Sequence, residues 1–452
     1  MTEVPYVFVS SEVLIDGKLQ QGISADGLPP KWFTKDPKTT FDHDLGEMYR
    51  VIRHAAELAQ QPKHVSFFEW WQHLYFEQLA WATEHRLSPL LANLGTSLIE
   101  RSMLDAICRA KNTPFHQLLQ SELLEINLGE VRLSLSGVSC RDFLPTKPAK
   151  SIYVRHAVGL GDPLCDDDVP TNEKLNDGLP HSLVASIRKY GLRYFKIKLS
   201  GNIQQDRERL VRLAELINTE ATQAKITLDG NENFNDIAQF KEHWTLYNQD
   251  RILRDFLQED LLFVEQPIHR DFALQETVKE TLEKWPDHPP IVIDESDGEL
   301  SDLPKALELG YAGTSHKNCK GIIKGLANAA TLALCQQSGQ NVILSAEDLG
   351  NVGPVALLQD YAVVAALGIQ HVERNGHHYY RGLSMFPQTE QQRTVRCHDD
   401  LYQADDSRFG QMKIQSGRVD LASVNSAPFG VAELPDLSQF SLLDEDASLK
   451  LK

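Results

Sequence analysis

The chain has 452 residues, 42% of them hydrophobic and 24% charged, which is the composition of a globular protein large enough for two domains or one elaborated barrel. Its formal net charge of −18 and its lack of a basic run argue against nucleic acids and anionic membranes as partners. The sequence has no apolar run of membrane-spanning length, no N-terminal signal pattern and no CxxC pair among its six cysteines, so we expect a cytoplasmic protein with free thiols.

The first 140 residues are predicted to form an α+β domain. Tyr6–Leu14 has the alternation of a β-strand, and residues 22–33, which contain two Gly and two Pro, are expected to form a loop. Three later segments have the apolar spacing of helices, namely Leu45–Gln60, Phe67–Thr83 and Leu94–Ala110.

Residues 141–390 alternate between short apolar runs and helix-like segments, which is typical of parallel strands connected by helices. We assign eight strands there, and eight strands favour a closed (β/α)8 barrel over an open doubly wound sheet. The predicted strands are Ile152–Val158, Tyr194–Leu199, Ala224–Asp229, Leu261–Glu265, Ile291–Asp294, Ala312–Lys317, Val342–Ser345 and Gln370–Glu373.

After residue 390 this alternation stops. Gln411–Leu421 is predicted to form a short hairpin with Ser416 and Gly417 at its turn, and the acidic stretch from Asp436 is expected to be a mobile tail. We expect the segment 391–452 to pack back on the N-terminal domain.

Three carboxylates end three consecutive predicted strands. Asp229, Glu265 and Asp294 are spaced 36 and 29 residues apart, close to the combined length of one strand, one helix and two loops. A closed ring of strands would therefore bring them to one mouth of the barrel. Oxygen ligands without Cys or His predict a Mg²⁺ site, with Mn²⁺ as a substitute.

Lysines flank the three carboxylates in sequence. In the segment Phe195–Leu199 the side chains alternate between two faces, so Lys196 and Lys198 share one face, which in a barrel points inward. A solvated edge strand explains the same alternation equally well. Lys317 ends the sixth predicted strand, and two lysines at the mouth are suited to act as bases or electrophiles.

Two further polar residues follow strand ends. Asn231 comes two residues after Asp229, in a turn that Gly230 permits, and Glu373 ends the eighth predicted strand. Glu373 either reaches the barrel mouth or forms a salt bridge with Arg374 or another neighbour.

The motifs KIK, DGNE, VEQP and IDES, followed in order by Lys317, resemble the enolase superfamily, specifically its muconate-lactonising/mandelate-racemase branch. The likeness covers nearly the whole chain, because Ile99–Asp105 resembles the helix that closes the family's capping domain and Met412–Leu421 resembles its returning C-terminal strands. The resemblance implies a (β/α)8-type barrel with an α+β capping domain, residues 1–140, which the C-terminal segment completes.

The resemblance also implies a role for each matched residue. The three carboxylates would hold one Mg²⁺. Lys198 would be a catalytic base that Lys196 tunes, and Lys317 would act from the opposite face. Glu295 would support the site by pairing with a lysine across the barrel.

In this architecture the cap should determine substrate specificity. Residues 22–33 are therefore expected to form a lid over the barrel mouth. Lys31 would bind a distal anionic group and Trp32 would stack on the substrate, although either residue also fits an ordinary surface position.

These roles predict abstraction of the proton α to a carboxylate of a small substrate, giving an enediolate that Mg²⁺ stabilises. Lys198 can act as a base near neutral pH only if its pKa is lowered, which repulsion from Lys196 and the metal would provide. Racemisation or epimerisation, dehydration and cycloisomerisation remain open as outcomes. We expect the enzyme to be a homo-oligomer.

This chain lacks the motifs that two particular activities of the family require. The mandelate racemase type has an Asp at strand six and a His at strand seven, where this chain has Lys317 and Val342–Glu347. The dipeptide epimerases have DxD at strand eight, where this chain has Glu373-Arg-Asn375. The sequence supports neither activity directly.

Two rival functions have to be weighed. One is a catalytically silent barrel that serves as a binding or scaffold protein, and retention of the whole buried charged set argues against it, because an idle cluster would only cost stability. The other is a metal hydrolase, which would need His-x-His after the first barrel strand, and Val154–Ala157 lacks that motif.

Overall fold

The computed structural model describes residues 4–60, 66–175, 177–404 and 409–443. The strands are β1 (Tyr6–Ile15), β2 (Lys18–Gly27), β3 (Ser151–Val158), β4 (Tyr194–Lys198), β5 (Lys225–Asp229), β6 (Leu261–Glu265), β7 (Ile291–Ile293), β8 (Gly313–His316), β9 (Ile343–Ala346), β10 (His371–Arg374), β11 (Tyr402–Ala404), β12 (Gly410–Met412) and β13 (Arg418–Asp420).

Helices precede the barrel, alternate with its strands and follow it. They are α1 (Pro30–Phe33), α2 (Phe41–Ala59), α3 (Phe67–Glu84), α4 (Pro89–Ala110), α5 (Phe115–Gln120), α6 (Leu128–Val131), α7 (Cys140–Phe143), α8 (Leu183–Tyr190), α9 (Ile203–Glu220), α10 (Ile237–Gln249), α11 (Arg251–Asp260), α12 (Arg270–Ala273), α13 (Glu276–Glu283), α14 (Asp302–Glu308), α15 (Ile322–Gln337), α16 (Ala356–Ala366), α17 (Gly376–Tyr379), α18 (Gln388–Cys397) and α19 (Ala422–Ser426). Across the described ranges, none of them combines the length and apolar character that crossing a bilayer requires.

The N-terminal domain corrects the prediction of a loop over residues 22–33. Its first half, Gly22–Gly27, lies in strand β2, which forms an antiparallel hairpin with β1. This half is buried against α4, where the Asp105 carboxylate accepts a hydrogen bond from the Ile23 amide at 3.0 Å. A Cβ atom at Gly22 would lie 2.0 Å from the Ser102 carbonyl oxygen. Close packing on the helix therefore makes this segment a strand despite its small and polar residues.

The eight predicted barrel strands are confirmed. Strands β3 to β10 form one parallel sheet in the order β10-β3-β4-β5-β6-β7-β8-β9, and a bridge between Glu347 and Glu373 joins its two ends. The (β/α)8-type barrel is therefore also confirmed. Phe195 and Ile197 are fully buried within the hydrophobic core, and the lysines between and after them lie on the opposite face of β4.

The C-terminal segment is built differently from the predicted hairpin. Ser416 and Gly417 do form a turn, with φ angles of 50° and 72°. An antiparallel bridge between Gln415 and Arg418 closes this turn. Beyond the bridge the two arms pair elsewhere, β12 with β11 and β13 with the barrel strand β3.

The mobile tail was placed too early in the chain by the prediction that it starts at Asp436. Its last nine residues, 444–452, lie outside the described residues. Before them, Phe440 packs on Phe8 of β1 with ring centres 4.7 Å apart, so aromatic burial anchors the start of this stretch on the hairpin. Arg109 of α4 also donates a hydrogen bond to the Val431 carbonyl at 2.7 Å.

Candidate active site

The inner face of the barrel carries the predicted lysines and carboxylates at one mouth. In the strand register Lys198 lies beside Asp229, and Asp229 lies beside Glu265. Asp294 and Lys317 each follow directly after the end of a strand, β7 and β8. The structure therefore brings these five residues together, and the four other than Lys198 are almost fully buried.

Lys196 lies at the centre of the charged cluster. Its Nζ atom is 2.9 Å from Asp229 Oδ2, 3.1 Å from Glu265 Oε1 and 3.1 Å from Glu347 Oε2, and it forms a closer ion pair with Glu373. Burial alone would lower the pKa of this ammonium group, but the carboxylates, Asp229 foremost, hold its pKa well above the usual value. Lys196 is thus a permanent cation that neutralises the carboxylates around it.

Glu373 reaches the barrel mouth, and it also forms a salt bridge there, with Lys196 rather than with Arg374. Its carboxylate contacts Lys196 and lies 3.9 Å from Lys198, whereas Arg374 points to the other side of the strand and pairs with Asp348. Burial, and after it the neighbouring Glu347, raises the pKa of Glu373 to about 8.

Lys198 is the most accessible lysine of the cluster, with 21% of its side chain exposed. Its Nζ atom donates a hydrogen bond to Asp229 Oδ2 at 2.6 Å. Burial, which is the largest influence, and repulsion from Lys196 act to lower its pKa, but Asp229, Glu373 and Glu347 together outweigh them, so the pKa is raised. The predicted lowering of this pKa includes a bound Mg²⁺ and stays a prediction. In the protein without a metal, the nearby carboxylates outweigh the repulsion from Lys196.

Lys317 approaches the mouth from the other side. Its Nζ atom lies 2.7 Å from Asp294 Oδ2 and 2.5 Å from Glu347 Oε2. Burial opposes the charge, yet these two carboxylates hold the pKa of Lys317 well above its usual value. Since β4 and β8 are four strands apart in the ring of eight, Lys198 and Lys317 approach the mouth from opposite sides.

Glu347 is a site residue that the sequence analysis missed. It follows β9 directly, and its carboxylate contacts both Lys196 and Lys317. These two lysines lower its pKa well below the usual value although burial acts against them. The alternation of Ile343, Ser345 and Glu347 from the seventh strand contained the signal, because alternate residues of a barrel strand share the inner face.

The donor set fits a hard divalent cation. Both carboxylate oxygens of Glu265 are buried without a hydrogen-bond partner. Glu265, Asp294 and Glu347 each offer one carboxylate oxygen, and these three oxygens lie within 4.8 Å of one another. Burial raises the pKa of Glu265, and attraction to Lys196 offsets this only in part. Lys196 Nζ, 3.1 Å from Glu265 Oε1, compensates the charge of this carboxylate in part, and a set of oxygen ligands favours Mg²⁺ or a similar ion.

Asp229, the third predicted ligand, is engaged differently. Its Oδ2 atom is taken by Lys196 and Lys198, and its Oδ1 accepts a hydrogen bond from the Asn231 amide at 2.8 Å. Asn231 therefore acts on the site through its backbone, in a turn where its φ angle is 43°. Gly230 is required because a Cβ atom there would lie 2.4 Å from the Cα atom of Pro267.

Glu295 does not form the expected ion pair. Among the residues that the structure describes, no lysine pairs with its carboxylate, and its Oε2 atom is buried without a partner. Burial and the adjoining Asp294 raise the pKa of Glu295 to about 8. The physical reason is competition, since Lys317 already pairs with Asp294 and Glu347.

The cap contributes to the mouth through the second half of the predicted loop. Trp32 covers Lys317, with Nζ 5.0 Å from the ring centre. Arg270 of the barrel fixes this segment by donating hydrogen bonds to the Trp32 carbonyl at 2.9 Å and to the Phe33 carbonyl at 3.0 Å. Lys35, which the sequence analysis did not single out, donates to the Asn231 carbonyl at 2.6 Å.

Lys31 is held inside the cap. Its Nζ atom lies 2.6 Å from Asp44 Oδ2 and donates to the Thr39 carbonyl at 2.8 Å. These contacts link α1 to α2. The lysines and carboxylates of the charged cluster do not lie beside Lys31.

The family comparison adds to this geometry. The family model described as "Enolase C-terminal domain-like" matches residues 181–408, which is just over half of the chain. The chain belongs to the enolase superfamily. The predicted mandelate racemase/muconate lactonising branch is confirmed, and the family model supports an enzyme of this superfamily.

Solved structures of this branch share the architecture over nearly the full chain. A mandelate racemase/muconate lactonizing enzyme from Bordetella bronchiseptica RB50 is 13% identical, with a TM-score of 0.58 over 96% of this chain and 97% of that one. The muconate lactonizing enzyme from Pseudomonas putida is 15% identical, with a TM-score of 0.56 over 93% and 92%. A dipeptide epimerase from Enterococcus faecalis V583 is 14% identical, with a TM-score of 0.53 over 92% and 96%. No curated protein matches the sequence significantly.

Proposed function

We propose that this protein is a Mg²⁺-dependent enzyme that removes the proton α to a carboxylate of a small substrate and completes an isomerisation or an elimination. The observation that carries the proposal is the arrangement of Lys198 and Lys317. They stand on strands four apart in the ring, each paired with a carboxylate of the arc between them. Glu265, whose oxygens accept no hydrogen bond, ends β6, the strand between those of the two carboxylates.

The residues proposed to hold Mg²⁺ are Asp229, Glu265 and Asp294. When bound, Mg²⁺ would supply positive charge that stabilises the second negative charge developing on the substrate as the proton leaves. Lys320 helps to position this arc, because its Nζ atom donates to the Asp294 carbonyl at 2.7 Å and to Asp294 Oδ1 at 2.9 Å.

The two lysines would transfer the protons. Lys198 becomes a base only when Asp229 no longer stabilises its charged form, so we expect the metal-free protein to be inactive. Lys317 stands where it could return a proton to the opposite face of the same carbon. Trp32 and the segment that Arg270 fixes would exclude water from above.

The reaction outcome is proposed as a class rather than as a single reaction. Structurally similar proteins include a dipeptide epimerase and a muconate lactonizing enzyme, so one scaffold of this kind carries both epimerisation and cycloisomerisation. Lysines on both faces are compatible with either of these reactions and with dehydration.

The test is a screen for exchange of α-protons in D₂O, with Mg²⁺, over acid sugars, hydroxy acids and amino-acid derivatives. We expect at least one carboxylate to exchange with the wild type, and one of its stereoisomers to lose this exchange in Lys198→Ala. Lys189→Ala, which removes an exposed lysine of α8, is the matched control and should exchange normally. A catalytically silent barrel would show no exchange with any compound, and that result would contradict the proposal.

A further inference from the structure

Three histidine rings meet where the first and last strands of the barrel pair. His156 lies in β3, and His377 and His378 lie in α17, directly after β10. The ring centres are 4.8 Å apart for His156 and His377, 4.1 Å for His156 and His378, and 4.7 Å for His377 and His378. One nitrogen of each ring lies within 4.8 Å of the other two.

This histidine cluster lies outside the barrel and is separate from the carboxylate site. In the register between β3 and β4, His156 pairs with Phe195, whereas the next residue, Ala157, pairs with Lys196. Since side chains alternate along a strand, His156 shares the outer face with Phe195, and Lys196 lies inside. His156 and His378 line a cavity of about 180 Å³ together with residues of α8, which covers the outside of the sheet.

The imidazoles are held in the form that binds metals. Burial lowers the pKa of His156 and of His377 well below the usual value. Burial foremost, and then the charge of Arg374, lowers the pKa of His378 to about 3, although the nearby backbone of Ala157 acts in the opposite direction. The Arg374 charge is itself compensated by an ion pair with Asp348. Neutral imidazole is the ligand form of histidine.

The hydrogen bonds of the cluster leave nitrogen atoms available. His377 Nδ1 donates to the Arg374 carbonyl at 3.1 Å, which turns its Nε2 toward His156 Nδ1 at 2.8 Å. Both ring nitrogens of His378 are buried, and neither meets the geometry of a hydrogen bond. Buried ring nitrogens without a well-formed hydrogen bond need an explanation, and coordination of a metal ion would provide one.

We propose that His156, His377 and His378 bind one divalent transition-metal ion, with Zn²⁺ as the best fit. Imidazole nitrogens suit Zn²⁺, whereas Mg²⁺ prefers oxygen ligands, so the two sites select different ions. A tetrahedral Zn²⁺ site has Zn–N bonds of about 2.0–2.1 Å. Small rotations of the three rings would reach that geometry, and the His156–His377 hydrogen bond would give way to the two metal bonds.

The ion would join the strand that begins the barrel to the short helix that follows the strand that ends it. Three histidines leave one coordination position open, and the cavity beside them is also lined by the Asp162 carboxylate. Asp162 already accepts hydrogen bonds from the Tyr379 hydroxyl at 2.9 Å and from the Gly159 amide at 2.6 Å. It therefore contributes negative charge next to the ion.

The experiment measures Zn²⁺ binding to metal-stripped full-length protein in the presence of excess Mg²⁺, which occupies the carboxylate site. We expect calorimetry to show one tightly bound Zn²⁺ per chain, and Co²⁺, used as a spectroscopic probe, to show the intense visible bands of tetrahedral coordination. Both signals should be lost in His378→Ala and in His378→Gln. The assay needs no turnover, so it is independent of the proposed enzymatic function.

Two control variants separate the cluster from other histidines. His181→Ala changes a histidine that lines the same cavity but pairs with Asp177, and it should bind Zn²⁺ like the wild type. His43→Ala removes a ligand from the cluster of His43, Asp44 and Glu47 on α2, and it should also leave the tight site intact. The proposal is overturned if the wild type shows no tetrahedral Co²⁺ bands, or if folded His378→Gln retains tight Zn²⁺ binding. Loss of the tight site in His43→Ala would overturn it as well.

Discussion

The Nζ atom of Lys317 lies 5.0 Å from the centre of the Trp32 ring, so the capping domain places an aromatic face directly over a charged side chain of the barrel mouth. A cation–π contact of this kind contributes about 0.5–2 kcal/mol, depending on how far water is excluded. Lys317 is buried, and the carbonyl of Trp32 is fixed by Arg270. The cap is therefore part of the mouth as well as its cover.

Removal of the Trp32 ring should lower the catalytic efficiency without unfolding the barrel. In Trp32→Ala we expect kcat/KM to fall by about 3- to 30-fold, which corresponds to a cation–π contact at a partly desolvated position. Steady-state kinetics on a substrate found by the exchange screen would measure the effect. Trp32→Phe keeps an aromatic face over Lys317 and should retain most of the activity. Wild-type kinetics for Trp32→Ala would show that the contact has no part in the reaction.

The Mg²⁺ ligands can be distinguished from the carboxylates that only pair with lysines. Glu265→Gln should abolish Mg²⁺ binding, because it replaces a buried carboxylate whose oxygens accept no hydrogen bond. Glu347→Gln should retain it, because Glu347 already pairs with Lys196 and Lys317. Both variants are isosteric, and isothermal titration calorimetry with Mg²⁺ measures the difference.

The opposite result for this pair would change the ligand set. Glu347, rather than Asp229, lies close to Glu265 and Asp294 in the metal-free protein. If Glu347→Gln loses Mg²⁺ binding while Asp229→Asn retains it, Glu347 is the third ligand and Asp229 serves only as the partner of Lys198.

The sequence was sufficient for the features that depend on local alternation and spacing. All eight barrel strands are confirmed, and the inward direction of Lys196 and Lys198 follows from the period of two along β4. The spacing of Asp229 and Glu265 at strand ends places them at one mouth, because parallel strands of a barrel share a direction.

The features that the sequence did not reveal depend on tertiary contacts. Strand β2 contains Gly22 and other small or polar residues, and it is a strand because it packs on α4 and pairs with β1. Lys31 forms an ion pair with Asp44, and no local sequence pattern predicts this pairing. The raised pKa of Lys198 depends in the same way on how close Asp229 lies to it in space.

Glu100 should make the stability of the protein depend on pH. This residue of α4 accepts hydrogen bonds from the Ile322 and Ile323 amides at 2.7 and 2.8 Å, at the start of α15. Burial raises its pKa from 4.5 to about 7, and these amides offset the effect only in part. Since the folded protein then holds the proton more strongly than the unfolded chain, the free energy of unfolding falls as the pH rises through this window.

Thermal denaturation of the wild type and of Glu100→Gln would measure this contribution. The stability of the variant relative to the wild type should increase between about pH 5 and about pH 8, by at most about 1.4 kcal/mol per unit. Glu122→Gln, at an exposed position, should follow the wild type at every pH. A difference between Glu100→Gln and the wild type that stays constant with pH would mean that Glu100 does not titrate in this range.

Lys198 and Lys317 should each serve one face of the substrate. Lys198 pairs with Asp229 on β5, Lys317 pairs with Asp294 after β7, and β4 and β8 lie opposite each other in the ring. A substrate whose carboxylate is held on the arc between them would have its α-carbon between the two ammonium groups. Lys198→Ala and Lys317→Ala should therefore each lose net turnover by about 10²–10⁴-fold, the usual contribution of a general base.

The exchange of single stereoisomers in D₂O tests this arrangement more sharply than turnover does. Each variant should still exchange the α-proton of the stereoisomer that faces its remaining lysine, and the two variants should differ in which stereoisomer they exchange. Calorimetry should first show that both variants bind Mg²⁺, so that a damaged metal site is not mistaken for a missing base. If Lys317→Ala turns over at the wild-type rate, Lys198 alone carries the reaction, and Lys317 serves only to compensate the charges of Asp294 and Glu347.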